Sequence, residues 1–395
     1  MTIKLTENFL KNVSFINNLK LRFSYGKVGN QAIGVTQTNS TEGAVKYPFN
    51  GIAYTGVVTS VLGNPNLHWE ATTSSNIGVD FSAWNNRLNL TVEAYKTDTK
   101  GILLRRNIPL ITGYTTILDN IGEMQNTGIE VTLNSVNLTL GDFRWESNVN
   151  FSMNKNKIID LFGDKTDDIV NSRFIGQPLN VIYNYKMIGV WQEGEDPSGS
   201  DPTAKPGDLK FQDISGPNGV PDGKIDANDR IILGQTDPKW RGGMSNTFIF
   251  KNLRLSVLIQ TSQGSIKNNN DLTYADEQGR RNTPAEVGYW TAENKSQTRP
   301  SLAYNPATRG YGFPSNNNYT RIKDVTLSYA FPKSILQKIK LQGLTVYASG
   351  KNLYTFTNWI GWDPESTQDV RGSSNWTNNY PFTRQIVFGL NVTLQ

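Results

Sequence analysis

Period-two alternation of apolar and polar residues is the feature that most constrains this chain, because a strand-period pattern does not sit still as a helix. Leu19, Leu21, Phe23 and Tyr25 alternate with Lys20, Arg22, Ser24 and Gly26, and Ile77, Val79 and Phe81 alternate with Asn76, Gly78 and Asp80. The same rhythm runs through 88–95, 129–134 and 143–153, then through 240–250, 253–261, 319–331, 344–356 and 386–394. These segments make about ten strands, each long enough to cross a bilayer when tilted. The best helical stretch, Ser334 to Lys340, covers about two turns. That is too little to cover the apolar face of such a sheet, so lipid is the expected cover and the polar faces are expected to line a hydrated lumen.

Connection lengths sharpen the reading. Residues 30–66, 97–117, 155–237, 264–318 and 357–381 read as long connections. Between them fall short ones at Trp84-Asn85-Asn86, Val136 to Gly141, Lys251-Asn252 and Pro332 to Gln342. Strict long–short alternation is what an up-and-down membrane barrel requires, with short periplasmic turns and long extracellular loops. A soluble sandwich has no reason to keep its long loops at one end. The expected fold class is therefore all-β: an antiparallel up-and-down transmembrane β-barrel, here a partial barrel of about ten strands. On this reading the last strand descends, and the C-terminus is periplasmic. No segment approaches the roughly 20 apolar residues of a membrane helix, and the opening Met1–Glu7 has no apolar core of a secretory signal.

Composition excludes several function classes. There is no cysteine, so thiolate catalysis, disulfides and cysteine metal sites are ruled out. The net charge of +5 is spread along the chain with no run of five basic residues, which argues against nucleic acid as a partner. His68 is the single histidine and has no neighbours suited to base or metal chemistry, so a structural or incidental role is expected. Nucleophile elbows, phosphate-cradling loops and dinucleotide fingerprints are absent, and an enzyme is not expected.

One segment carries candidate metal ligands. Asp222-Gly223 with Ile225, Asp226 and Asp229 matches the second half of a calcium loop, in which Gly allows a sharp turn and carboxylates supply hard oxygen ligands. The candidate set is Asp213, Asn218, Asp222, Lys224 and Asp229, holding a structural Ca²⁺; the first half fits less well, because Val220 stands where a ligand belongs. The alternative is an Asp/Gly turn that only shapes its loop. Aromatic residues in the long connections are the candidate ligand contacts, by stacking in a wet cavity: Trp290, Tyr311, Trp359, Trp362 and Trp376. Tyr304, Phe313 and Tyr380 share those connections, and the same rings would serve equally to fold the loops onto one another.

Several motifs resemble those of SusC/RagA-type TonB-linked outer-membrane proteins. They are Leu19 to Asn30 ending in Gly29-Asn30, Asn64-Pro-Asn-Leu-His-Trp-Glu70 followed by Asn76-Ile-Gly-Val-Asp80, and Asn120-Ile-Gly-Glu-Met-Gln-Asn-Thr-Gly-Ile-Glu130. Gly207-Asp-Leu-Lys-Phe-Gln-Asp213, Asp222 to Arg230, Asp237-Pro238, Tyr319 to Tyr329 and Gly350-Lys-Asn-Leu-Tyr354 continue the series in order. The resemblance implies a 22-stranded barrel in the outer membrane of a Gram-negative bacterium, with residues 1–395 its C-terminal portion and the plug and first strands lying outside them. It further implies a SusD-like surface lipoprotein as partner, TonB as the energy source, and an oligosaccharide or peptide as substrate. Two other readings stand beside it: a self-contained small outer-membrane pore or adhesin, and a secreted soluble sugar-binding β protein. Phe388-Gly-Leu-Asn-Val-Thr-Leu394 resembles a terminal barrel strand, although Leu394-Gln395 stands where an aromatic residue is usual.

Overall fold

A computed structural model describes residues 2–5, 13–31, 34, 37–216, 219–269, 272, 287–305, 309–365 and 381–394. The chain forms two compact units, residues 1–132 with 152–179 and residues 133–151 with 180–395.

The first unit holds β1 (Thr2–Lys4), β2 (Ile16–Asn30), β3 (Thr41–Phe49), β4 (Ile52–Val61), β5 (Glu70–Ala83) and β6 (Leu88–Asn107). It also holds the first part of β7 (Thr116–Leu140) and the last part of β8 (Phe143–Asp160). The sheet order is β1-β2-β5-β6-β7, while β3 and β4 form a separate hairpin. Register places Leu21 opposite Val79 and Val79 opposite Val92, with Phe23 opposite Ile77 on the same face. The other face carries Arg22, which donates to Asp80 at 2.8 Å and reaches Glu93 at 2.6 Å. One face is thus a row of aliphatic and aromatic side chains and the other a row of paired charges, as period-two alternation dictates. Phe23 and Ile77 are more than half exposed, so the apolar row is not covered by the chain.

The second unit contains β9 (Val181–Tyr185), β10 (Met187–Val190), β11 (Leu209–Phe211) and β12 (Arg230–Gln235), all within the 155–237 connection. The main sheet then continues through β13 (Trp240–Phe250), β14 (Leu253–Gln263), β17 (Tyr319–Ala330), β18 (Leu341–Thr357) and β19 (Gln385–Leu394). Between β14 and β17 lie β15 (Ile266–Asn268) and β16 (Pro314–Asn316), which pair with each other. A row across this sheet reads Phe250, Leu253, Tyr329, Val346 and Leu390, and the next reads Phe248, Leu255, Leu327, Ala348 and Phe388. Phe388 is 78% exposed and Leu390 64%. Each such side chain gains about 1.5–3 kcal/mol on moving from water to hydrocarbon, so the face is built for an apolar surrounding. The opposite face carries Ser256, Thr326 and Ser349 in one row and Gln260, Arg321 and Thr355 in another.

All ten expected strands are present. The short β1 was not anticipated, because three residues show no period. Two expected connections need correction. Residues 97–117 are mostly strand: β6 continues to Asn107 and β7 starts at Thr116, leaving a short link with one 3-10 turn at Leu110–Thr112. Thr97, Asp98 and Thr99 pair across to Ser74, Thr73 and Thr72, so cross-strand hydrogen bonding among polar residues extends the ladder past the apolar pattern. Likewise β7 runs through Val136 to Leu140, and the turn shrinks to Gly141-Asp142. The turn at Trp84-Asn85-Asn86 is as expected, with all three residues at positive φ. Trp84 tolerates this because its ring stacks on Phe15 at 6.1 Å and its N–H donates to the Phe15 carbonyl. The expected short helix is also found, as α1 (Lys333–Leu336) followed by a 3-10 turn.

Candidate functional site

The connections of the second unit carry their own water-excluded core. Tyr185, Val190, Leu209, Phe211, Leu272, Tyr311 and Phe313 are buried together, with Trp290 and Tyr304 packed against them. Tyr311 meets Phe211 and Phe313 edge-on at 5.1 and 5.2 Å. Burial pushes its hydroxyl up to about 12. This aromatic candidate is therefore a core residue of the loops.

Beside that core lies a cleft of about 850 Å³ whose walls include Tyr185, Asp201, Asp208, Arg230, Tyr304 and Arg309. Arg309 is held by Asp201 at 2.7 Å and by the Ile225 carbonyl at 3.0 Å. Its guanidinium also lies over the rings of Tyr185 and Phe211, a placement that planar, weakly hydrated Arg favours over Lys. Burial raises the Asp208 carboxyl above its ordinary range, and the Lys205 backbone N–H donating to it at 2.8 Å opposes that. Burial likewise raises the Tyr304 hydroxyl. Such a wall offers hydrogen-bond acceptors, donors and ring faces with its charges largely paired. That suits binding of a polar organic molecule, and among the described residues of the wall there is no nucleophile–base pair.

The remaining candidates fall in different places. Trp290 is half-buried, donates Nε1–H to Gln192 Oε1 at 2.9 Å and carries Lys295 over its ring. Trp359 is buried and Trp362 is 66% exposed, both beside an ion network at the foot of the last connection. There the nearly inaccessible Arg321 donates to Asp363 at 2.6 Å, Glu365 at 2.7 Å and Thr355 at 2.8 Å, and Lys323 adds to Glu365 at 3.0 Å. Trp376 and Tyr380 lie outside the described residues.

The 213–229 loop closes on itself. Asp229 is fully buried, and its carboxylate accepts the backbone N–H of Ile214 at 2.8 Å, Ser215 at 3.2 Å and Asp226 at 2.8 Å. Burial raises this carboxyl, but those N–H donors outweigh it and hold the group below the ordinary range. Asp226 completes a capping box by accepting from Asn228. Asp213 takes the Gly223 N–H at 2.7 Å, and Asp222 takes that of Lys224 at 3.0 Å. Asp213 Oδ1 is buried without a hydrogen-bond partner, but one oxygen is not a coordination shell. Among the described residues no group of three or more acidic or histidine side chains converges as a metal site. The carboxylates of Asp213, Asp222 and Asp229 thus each accept at least one backbone N–H of the loop, Lys224 supplies one of those donors, and Asn218 lies outside the described residues.

The His68 side chain is exposed while its backbone is pinned. Asn120 accepts the His68 N–H at 2.9 Å and donates to the carbonyls of His68 and Gly101, both at 2.7 Å. Asn64 reaches the Leu118 carbonyl at 2.9 Å.

Comparison with known proteins gives this architecture a family. The family model described as "TonB dependent receptor-like, beta-barrel" matches residues 6–353. The chain belongs to the SusC/RagA-type TonB-dependent receptors. It is 32% identical to TonB-dependent receptor P3 of Formosa agariphila over 98% of this chain and 40% of that protein. To TonB-dependent receptor SusC of Bacteroides thetaiotaomicron it is 27% identical, over 98% of this chain and 38% of that one. Among solved structures it is similar to the RagAB peptide transporter, with 26% identity and a TM-score of 0.78, covering 100% of this chain and 43% of that one. The chain thus spans about two-fifths of the length of the curated relatives it matches. This is a family of transporters and not of enzymes.

Read as parts of a SusC/RagA-type barrel, the motifs acquire physical roles. The Asn64 and Asn120 motifs tie the foot of one connection to the start of β7. Gly207 sits at φ 92°, where a side chain would run into Trp290 and Ser301, so the Gly207-Asp208 pair seats the loop core. In Gly350-Lys-Asn-Leu-Tyr354 the register slips, so that Asn352 and Leu353 together face Lys323, and Asn352 takes φ 51°. That is a β-bulge, a device that re-aims side chains next to sites.

Proposed function

We propose that the chain is part of the outer-membrane barrel of a TonB-energised importer that takes up oligosaccharides or peptides together with a SusD-like surface lipoprotein. The observation that carries this reading is the exposed, row-by-row apolar face of the main strands in each unit, set against a polar and ion-paired opposite face. Such a sheet is stable where hydrocarbon covers one side and water the other. Membership of a TonB-dependent receptor family supports TonB as the energy source and a peptide- or sugar-like cargo. The long connections would then face outward with their cleft accessible to substrate, and the C-terminus would lie at the periplasmic side.

The test is made in the native organism. Outer-membrane fractions, boiled and unboiled, are probed with antibody against the β18–β19 connection, and the same antibody is used to co-purify partners. We expect a heat-shifting membrane band far heavier than this chain alone, a co-purifying lipoprotein, and loss of substrate uptake when TonB is removed. A soluble product, or an autonomous heat-shifting barrel of this chain's own mass that needs no TonB, would overturn the reading.

A further inference from the structure

The apolar face of the first unit changes character toward the end of the strands where the 30–66 connection leaves. Register sets the rows. Phe23, Ile77 and Ala94 stand side by side, then Tyr25, Ser75 and Lys96, then Lys27, Thr73 and Asp98, and last Gly29, Ala71 and Lys100. Period-two alternation keeps all four rows on one face. Lys27, Lys96 and Lys100 therefore share the side of the sheet that carries the aliphatic rows, and all three are exposed. The second unit has no such patch: at the same end of its apolar face the row reads Gly242, Thr261, Thr320 and Phe356, without a charge.

Pairing leaves the patch with an excess of positive charge. Lys96 reaches Asp98 and Lys100 reaches Glu123, each at 3.4 Å; exposed pairs of this kind are weak and exchange readily. Asp98 is also held from β7, by Gln125 Nε2 at 2.7 Å. Lys27 makes no ion pair among the described residues. Between Lys27 on β2 and the two lysines on β6 runs β5, which presents only Ala71, Thr73 and Ser75 there. Two strand spacings make that gap roughly 10 Å wide. The hydroxyls of Thr73 and Ser75 stand in it, while those of Thr72 and Ser74 face the other way and pair with Thr99 and Thr97 at 3.0 and 3.3 Å. The Trp69 ring lies over Gly29, 3.1 Å from where a Cβ would be, and Trp69 and Tyr25 are both more than half exposed.

Cations, hydroxyls and amphipathic rings set just beyond aliphatic rows complement an anionic amphiphile. Its acyl chains would lie on Phe23, Ile77 and Val79, and its phosphate would come to rest between the lysines. A free phosphate would leave the apolar rows unused, and an uncharged lipid would leave the lysines unused. We infer that this face of β2, β5 and β6 holds a phosphate-bearing lipid of the outer leaflet, with Lys27, Lys96 and Lys100 around the phosphate and Thr73 and Ser75 donating to its oxygens. Asp98 and Glu123 lie toward β7, so the positive excess is on the β2 side and the phosphate sits nearest Lys27. The inference rests on the membrane reading above and goes beyond it by assigning a bound lipid to one stretch of the wall.

The test uses the full outer-membrane protein carrying this chain, delipidated in detergent and titrated with bisphosphoryl lipid A while bound lipid is counted by native mass spectrometry. Dephosphorylated lipid A with the same acyl chains, and inorganic phosphate, are titrated alongside. Lys27→Gln removes one cation of the patch, and a triple variant adds Lys96→Gln and Lys100→Gln. A control triple variant, Lys333→Gln with Lys338→Gln and Lys340→Gln, removes as many charges from the short connection after β17. We expect bisphosphoryl lipid A to be retained, about fivefold more weakly in Lys27→Gln and more than about twentyfold more weakly in the patch triple variant. The control variant should bind as the parent does. No retention, equal retention of the dephosphorylated form, an equal loss in the control variant, or displacement of the lipid by inorganic phosphate at matched concentration would overturn the site. The membrane reading is judged separately by the heat-shifting band, expected unchanged in every variant, so the two can fail independently.

Discussion

Arg321 is the residue whose loss should be felt farthest from its own position. The residue is 2% exposed, and its guanidinium bridges β17 to Asp363 and Glu365 at the start of the last connection. Asp363 is also buried, and its second oxygen accepts the Phe382 N–H at 3.0 Å, so one carboxylate ties the beginning of the connection to its end. Arg321→Met fills similar volume without charge and leaves Asp363 buried, still accepting the backbone N–H groups of Glu365 and Phe382. Removing one partner of a buried pair costs about 3–5 kcal/mol. The lower figure applies here, because Glu365 keeps Lys323. About 3 kcal/mol corresponds to roughly a hundredfold rise in the open population, read as faster hydrogen exchange of the Phe382 amide. Asp363→Asn alone should also accelerate that exchange, and the double variant should be far less damaged than the product of the two singles. Acceleration below about threefold in Arg321→Met, or simple multiplication of the two effects, would refute the idea that the pair holds the connection shut.

Other expectations follow from the same kind of geometry. A Cβ at Gly128 would overlap the Tyr95 ring and crowd the Met153 carbonyl, so Gly128→Ala should cost about 1–3 kcal/mol in denaturant titration. Adding Tyr95→Ala should recover part of that loss, and no recovery would mean the ring is not the obstacle. The Asp229 carboxyl is held below its ordinary range, so its stabilisation is present above the unfolded-state value near 4. It is lost as pH falls further, through Asp229's own lowered value. Fluorescence of the loop tryptophans should therefore report loosening below about pH 4, and Asp229→Asn should flatten that transition. Millimolar calcium should leave the same transition where it is; a calcium-induced shift abolished by Asp213→Asn would establish a cation site in this loop. Gly207→Ala should release Trp290 from Gln192 and redden its emission, because the backbone there is left-handed and the space is filled.

Strands were legible because two-residue periodicity is written locally: every apolar row can be read without knowing its partner. The ends of β6 and β7 were not, since Thr97, Thr99 and Thr116 carry no apolar signal and their strand state comes from the ladder beside them. The β3–β4 hairpin, with strands of 9 and 10 residues, carries a signal but fell inside a stretch read as one long connection. Three-residue strands such as β11 and β16 have no period to detect. Aromatic richness marked the loops correctly but could not separate Tyr311, a core residue, from Trp362, an exposed one. The Asp-rich loop was read by its spacing, whereas its chemistry depends on where each carboxylate points, and most point at nearby N–H groups. Arg321, Asp363 and Glu365 gave no sequence signal at all, because Arg321 stands 42 and 44 residues before its two partners, with the whole of β18 between them.

The private core of the connections has a consequence for inheritance. Leu209 and Phe211 come from one connection, while Tyr311 and Phe313 come from another, with the hairpin of β13 and β14 between them in the gene. A recombination event that swaps one of the two segments with a relative would unite halves of different shape. Lineages that change cargo by exchanging loops should therefore carry both segments across together or repair the seam by compensating substitutions at these rings.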